Sequence, residues 1–302
     1  MRCCTLLAGV CSLLFCISAG AADSKLPTDA TPEDAQADPD FSRQGEYAGD
    51  SAGGQVVALG DHRFLAVRYA GGLPGAGWDG SPAASTEGTW EEIQEVVAGL
   101  KKTTRSSPTL NATPPQDAVV LFDGTQPTFE KHWASGARMT SNGLLEQGAT
   151  SLDQFQSFHI HIEFRLPYMP TARGQARGNS GLYLQGRYEV QMLDSFGLKG
   201  ESNECGGIYK AAAPRLNMCL PPLVWQTYDV DFTAAKFDET GKKFSNARVT
   251  VQHNGVTIHD NVEITDVTPS GPIVMESAEP GPVFLQNHGN PVRYRNIWVT
   301  RK

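Results

Sequence analysis

No stretch of the chain is rich in lysine or arginine: 25 basic residues are scattered among 33 acidic ones over 302 positions, a formal net charge of −8. Phosphate contacts supply most nucleic-acid affinity, so an acidic chain without a basic run is a poor partner for DNA or RNA. Anionic lipid would repel it too. Long hydrophobic runs are also missing. The one early candidate, LLAGVCSLLFCIS, is too short for a comfortable membrane span. It follows a single positive charge at Arg2 and precedes small residues at Ala19 to Ala22, the pattern of a secretory signal peptide over residues 1–22. We therefore expect a secreted or periplasmic protein. Cysteine is scarce as well. Cys3, Cys4, Cys11 and Cys16 fall in the signal, leaving Cys205 and Cys219. Two thiols are too few for a structural zinc site unaided. In an exported chain they suggest one disulfide closing the loop CGGIYKAAAPRLNMC, with two buried free thiols as the alternative.

Abundant turn formers, 31 Gly and 19 Pro, point instead to many short elements and β structure. Residues 23–41 carry acids, Pro and Ala with little to bury and read as a disordered acidic tether. Residues 42–102 read as a small α+β module: two strands around Gly60-Asp61, a Gly/Pro loop, and a helix in TWEEIQEVVAGL with a Thr89/Glu92 capping box and an apolar stripe of Ile93, Val96, Val97 and Leu100. Residues 103–116 are a Ser/Thr/Pro linker with a glycosylation sequon at Asn111.

From residue 117 to 302 the pattern is that of strands. FHIHIEFRL alternates Phe158, Ile160, Ile162 and Phe164 against His159, His161, Glu163 and Arg165. QTYDVDF alternates Tyr228, Val230 and Phe232 against Thr227, Asp229 and Asp231, and ARVTVQHNGVTIHD is a hairpin with an Asn-Gly turn. Many antiparallel strands with one apolar face each and no long helix argue for an all-β, two-sheet sandwich. Its polar outer face suits an elongated neutral ligand such as a carbohydrate.

The stretch RGNSGLYLQGRYEVQMLDS concentrates hydrogen-bonding side chains: Arg177, Asn179, Gln185, Arg187, Glu189, Gln191 and Asp194. On a regular strand Glu189 and Gln191 share a face. Asp194 points away unless one β-bulge near Met192-Leu193 returns it, and we expect that bulge. The row resembles the E-x-D-x-x-E strand of laminarinase-type glucanases, but has Gln191 for the central acid and the shorter Asp194 for the last. A retaining glycosidase needs two carboxyls roughly 5 Å apart.

A closer resemblance covers residues 117–302. LFDG, EFR, GNSGLYLQGRYEVQMLDSFG, WQTYDVDF and NPVRYRNIWV, in that order, resemble the 3-keto-disaccharide hydrolase domain family. The segment 44–75, with QGEY and GGLPG, is similar to a short module that precedes this domain in some exported bacterial members. The resemblance implies a concanavalin-like jelly roll and cleavage of glycosides already oxidised to a ketone at C3. Such a ketone acidifies the C2 hydrogen, so a base can remove it, an electrophile can hold the enolate oxygen, and the C1 group leaves before water adds. On this reading Glu189, Asp194, His288 and Lys210 are the candidate catalytic groups. Arg177, Asn179, Gln191, Glu163, Tyr209 and Trp225 are the candidate substrate-binding groups. No metal set is specified. The evenly spaced His159, His161 and Glu163 keep a divalent cation open as a cofactor, with hydrogen bonding to neighbouring strands the commoner use of such a row. A non-catalytic lectin-like module and a conventional endo-glucanase are the rival readings.

Overall fold

The computed structural model describes residues 28–302, so the signal-peptide reading lies outside the described residues. Residues 28–41 depart from the disorder expected of them. Thr31 caps a single helical turn, α1 (Pro32–Ala35), and a 3-10 turn follows at Pro39–Ser42. Anchors substitute for bulk hydrophobicity: Ala35 is fully buried, Asp29 and Tyr168 exchange two backbone hydrogen bonds of 2.9 Å, and Tyr168 Oη donates to Asp38 Oδ2 at 2.8 Å.

The module is an antiparallel sheet of β1 (Gly45–Ala48), β2 (Ala52–Gly60), β3 (Arg63–Ala70), β4 (Ala84–Thr89) and β5 (Lys101–Thr103), in the order β4-β3-β2-β1-β5. The β2–β3 hairpin turns through Gly60, Asp61 and His62, all at positive φ. The capping box forms as expected and starts α2 (Trp90–Ile93), a single turn that runs on as a 3-10 turn. Alternation on β2 splits the sheet's two faces. Val56 and Ala58 pack with Ile93 and Val97, while Val57 points into the core of the larger unit.

The larger unit is a sandwich. Its elements, in chain order, are β6 (Val119–Phe122), α3 (Gln126–His132), β7 (Leu145–Glu146), β8 (Ala149–Phe155), β9 (Phe158–Arg165), β10 (Ser180–Leu184), β11 (Tyr188–Met192), β12 (Trp225–Thr233), β13 (Lys236–Phe237), β14 (Lys243–Ser245), β15 (Ala247–His253), β16 (Val256–Ile264), β17 (Gly281–Leu285) and β18 (Arg293–Arg301). One sheet has the order β11-β10-β17-β8; the other has β16-β15-β12-β9-β18-β6, with β7 also paired to β18. The alternating residues meet where the pattern placed them. Ile160, Ile162, Phe164, Tyr228, Val230 and Phe232 from the second sheet bury against Leu182, Leu184, Val190 and Met192 from the first. The Asn254-Gly255 turn has both residues at positive φ, as a type I′ hairpin demands. Among the described residues no helix is long and apolar enough to cross a membrane.

Cys205 and Cys219 do not form the expected disulfide. Both are free, buried thiols. The two thiols interact with each other, and each has a further weak partner: Cys205 Sγ lies 3.2 Å from Tyr228 Oη, and Cys219 Sγ lies 3.6 Å from the Leu193 carbonyl. Burial pushes the Cys219 thiol well above its ordinary pKa, which keeps it protonated.

Candidate functional site

The β10–β11 hairpin builds the site. Gln185 and Gly186 both adopt positive φ in its turn. The register then runs one-to-one, Leu184 opposite Tyr188, Tyr183 opposite Glu189, Gly181 opposite Gln191, Ser180 opposite Met192. Leu182, Leu184, Tyr188, Val190 and Met192 take the core face. Period-two alternation sends Gly181, Tyr183, Glu189 and Gln191 to the other face.

That face is covered, because two irregular segments complete the free edge of β11. Tyr209 N donates to the Glu189 carbonyl at 3.2 Å, while Gln191 exchanges bonds of 2.9 Å with Gly206 and Gly207. On the same strand Glu189 N donates to Thr268 Oγ1 at 3.0 Å. Glu189 is left 2% exposed. Its Oε2 accepts from Tyr183 Oη at 3.0 Å, and its Oε1 has no partner. A Cβ on Gly181 would sit 2.0 Å from that Oε1, so only glycine leaves room for the carboxylate there. Burial pushes the Glu189 carboxyl up to about 7, and the Tyr183 hydrogen bond offsets this only in part.

An amide cluster adjoins. Gln175 Oε1 accepts from Asn179 Nδ2 and from Gln191 Nε2, each at 3.2 Å. Asn179 Oδ1 is buried without a partner. The turn after β17 closes the border: Asn290 Oδ1 accepts from Asn179 N at 2.7 Å, and Gln286 Nε2 reaches Tyr183 Oη at 3.4 Å.

The structure thus brings Glu189, Gln191, Asn179 and Tyr209 together. Lys210 and His288 sit on the bordering segments with exposed side chains. The Lys210 ammonium lies 5.4 Å from the centre of the Tyr209 ring. Gln175, Tyr183, Gln286 and Asn290 are additional members that the sequence reading missed. Tyr183 had a usable signal, since counting back from the Gln185-Gly186 turn places it opposite Glu189. The others come from irregular segments with no period to follow.

Five expectations fail here. The β-bulge is absent, and β11 ends at Met192 with its register intact. Asp194 therefore does not join Glu189. Its Oδ2 accepts from Arg177 Nε at 2.6 Å and its Oδ1 from Phe196 N at 3.3 Å. Arg177 is likewise no ligand clamp. It is buried, and its Nη1 donates to the carbonyls of Ala58 and Pro170 at 3.2 Å, fastening the module to the sandwich. Glu163 lies on the other sheet and is fully buried. Burial would raise its carboxyl, but the His161 ring, the Asn296 amide, the Arg295 guanidinium and the Asn111 N–H outweigh that and hold it at about 2. Trp225 is on the same sheet as Glu163, with the guanidinium groups of Arg165 and Arg295 5.0 and 4.2 Å from its ring centre. Neither residue faces Glu189.

The row suggested for a cation is similarly occupied. His161 Nδ1 lies 2.6 Å from Asp229 Oδ1, and Arg295 Nε donates to Glu163 Oε2 at 2.7 Å. Among the described residues no group of three or more His, Cys, Asp or Glu is arranged to hold a metal ion.

Comparison with known proteins agrees with this architecture. A candidate glycosyl hydrolase of known structure from Parabacteroides distasonis ATCC 8503 is 34% identical, covers 63% of this chain and 86% of its own length, and superposes with a TM-score of 0.57. A second candidate glycosyl hydrolase from that organism is 17% identical, covers 62% of this chain and 94% of its own, with a TM-score of 0.44. No curated protein matches. The first of these similarities marks a carbohydrate-active protein of glycosyl-hydrolase type. Residues 117–300 match the 3-keto-alpha-glucoside-1,2-lyase-like domain, more than half of the sequence, and the chain belongs to that family.

Proposed function

We propose that this protein is an exported bacterial enzyme that cleaves 3-keto-glycosides by elimination and hydration, with Glu189 as the proton-transfer group. One observation carries the reading: a buried carboxyl, raised to about 7, with one oxygen held by Tyr183 and the other unpartnered. A general base works best when its pKa lies near the operating pH. Glu189 Oε1 takes the C2 proton, the electron pair moves into the C3 carbonyl, and the C1–O bond breaks to release the aglycone. Water then delivers its hydroxyl to C1 and its proton to the departed aglycone oxygen, and the proton on Glu189 returns to C2. The amides of Gln191, Asn179 and Gln175 supply hydrogen bonds to sugar hydroxyls. Lys210 and His288, on the bordering segments, are the groups available to meet the enolate oxygen.

A retaining glucanase is disfavoured because the second carboxylate, Asp194, is held by Arg177. The test pairs a 3-keto-glucoside with its unoxidised parent. Cleavage of the ketone alone is expected. Cleavage of the parent indicates a conventional glycosidase, and binding without turnover indicates a lectin. Export is checked by N-terminal sequencing of protein recovered from the periplasm or medium, with a start near residue 23 expected.

A further inference from the structure

The geometry points to Tyr183 as a positioning residue that selects the reactive oxygen of Glu189 and sets the pH at which it ionises. This rests on the reading of Glu189 as the base. Tyr183 is fully buried, and its hydroxyl has three neighbours: Glu189 Oε2 at 3.0 Å, the Pro269 carbonyl at 3.3 Å and Gln286 Nε2 at 3.4 Å. The hydroxyl has one proton to give. Gln286 is a donor, so it occupies a lone pair. The proton is then shared between Glu189 and Pro269, and the ionised carboxylate is the stronger acceptor and the nearer one. Oε2 is held in this way, while Oε1 remains without a partner in the gap that Gly181 leaves. The bond to Tyr183 fixes the carboxylate against rotation and draws charge towards Oε2, which leaves Oε1 as the oxygen open to a substrate proton.

The other titratable and charged groups around Glu189 are few. Tyr209 and Lys210 lie on the segment paired to β11, and Asp266 lies at the start of the segment that carries Thr268 and Pro269. His288 lies on the turn after β17. Just before β11, Arg187 is turned to the carbonyls of Met275 and Glu279, each at 3.1 Å. No salt bridge forms at Glu189 among the described residues. Among the described residues the phenol is therefore the one side-chain donor to the carboxylate, and it stabilises the charged form.

The experiment is a carbon NMR titration of the full chain labelled at the glutamate side-chain carboxyl, with Glu189→Gln used to assign the Glu189 resonance. Tyr183→Phe removes the proton donor and is expected to raise the Glu189 pKa by about one unit. Incorporating 3-fluorotyrosine at position 183 makes the phenol a stronger donor with little change in shape, and is expected to lower it. Opposite shifts in the two proteins support the assignment, and the fluorinated protein answers the question even where Tyr183→Phe folds poorly. An unchanged Glu189 pKa in the fluorinated protein overturns it. A parent pKa in the ordinary carboxylate range, with the opposite shifts still present, upholds Tyr183 as the positioning residue while removing Glu189 as a base at neutral pH.

Discussion

Glu189 combines two properties that oppose each other. Its burial favours the protonated form, and its proposed task needs the ionised one. The consequence for stability has a definite sign. The folded pKa of about 7 lies above the usual 4.5, so between those values the folded state holds a proton that the unfolded state has lost. Stability linked to Glu189 is fully present below about pH 4.5 and is lost as pH rises through 7. Glu189→Gln is expected to melt higher than the parent at pH 8 and equally at pH 4, as thermal unfolding at the two values will show. The same substitution is expected to lower turnover of a 3-keto-glucoside by roughly a hundredfold or more in steady-state assays. Parent turnover is expected to rise with pH through about 7 as the base form accumulates. Gly181→Ala tests the space beside Oε1. Its methyl would displace the carboxylate, so activity is expected to fall by at least tenfold while circular dichroism remains that of the parent.

The β10–β11 hairpin was legible in the sequence because its period and its turn residues agree. Glu189 and Gln191 share a face as the alternation requires, and the Gln185-Gly186 turn fixes their partners across the strand pair. Asp194 was not legible in this way. It lies beyond the last paired residue, where period-two reasoning lapses, and the guanidinium that captures it comes from a separate turn of chain. Arg177→Ala would leave Asp194 as a buried, unpaired charge, and is expected to cost about 3–5 kcal/mol in denaturant unfolding. The covering segments were equally hidden, since an edge completed by residues 206–209 and Thr268 leaves no periodic trace. They also decide access. With Glu189 at 2% exposure, a sugar reaches Oε1 only when these segments shift. Hydrogen exchange at Tyr209, Val267 and Thr268 is expected to slow when an unreactive glycoside analogue binds.

Across the whole molecule, linkers became structure. Composition alone gives residues 28–41 and 103–116 little reason to fold, because their apolar content is low. They are placed instead by single buried polar contacts that composition does not report. Ser107 and Thr109 bond to Thr227 Oγ1 at 2.6 and 2.7 Å, Thr109 donates to Asp229 Oδ2 at 2.8 Å, and Asn111 N donates to Glu163 Oε1 at 2.5 Å. Residues 107–111 thus lie as a strap across the outer face of the larger sheet. Glu163→Gln is expected to loosen the strap, read as faster proteolysis at residues 107–112. Glu163 is held near 2 against the usual 4.5, so its stabilising contribution is present above pH 4.5 and is lost as acid drives pH towards 2. The strap has a further effect on recognition. A two-layer fold has two outsides, and here part of the broader one, at Thr227, Asp229 and Glu163, lies under the protein's own backbone. On the proposed reading the guest lies instead on the narrower layer, walled by the segments at 206–210 and 286–290, a berth better matched to a short glycoside or a chain end than to the middle of a polymer.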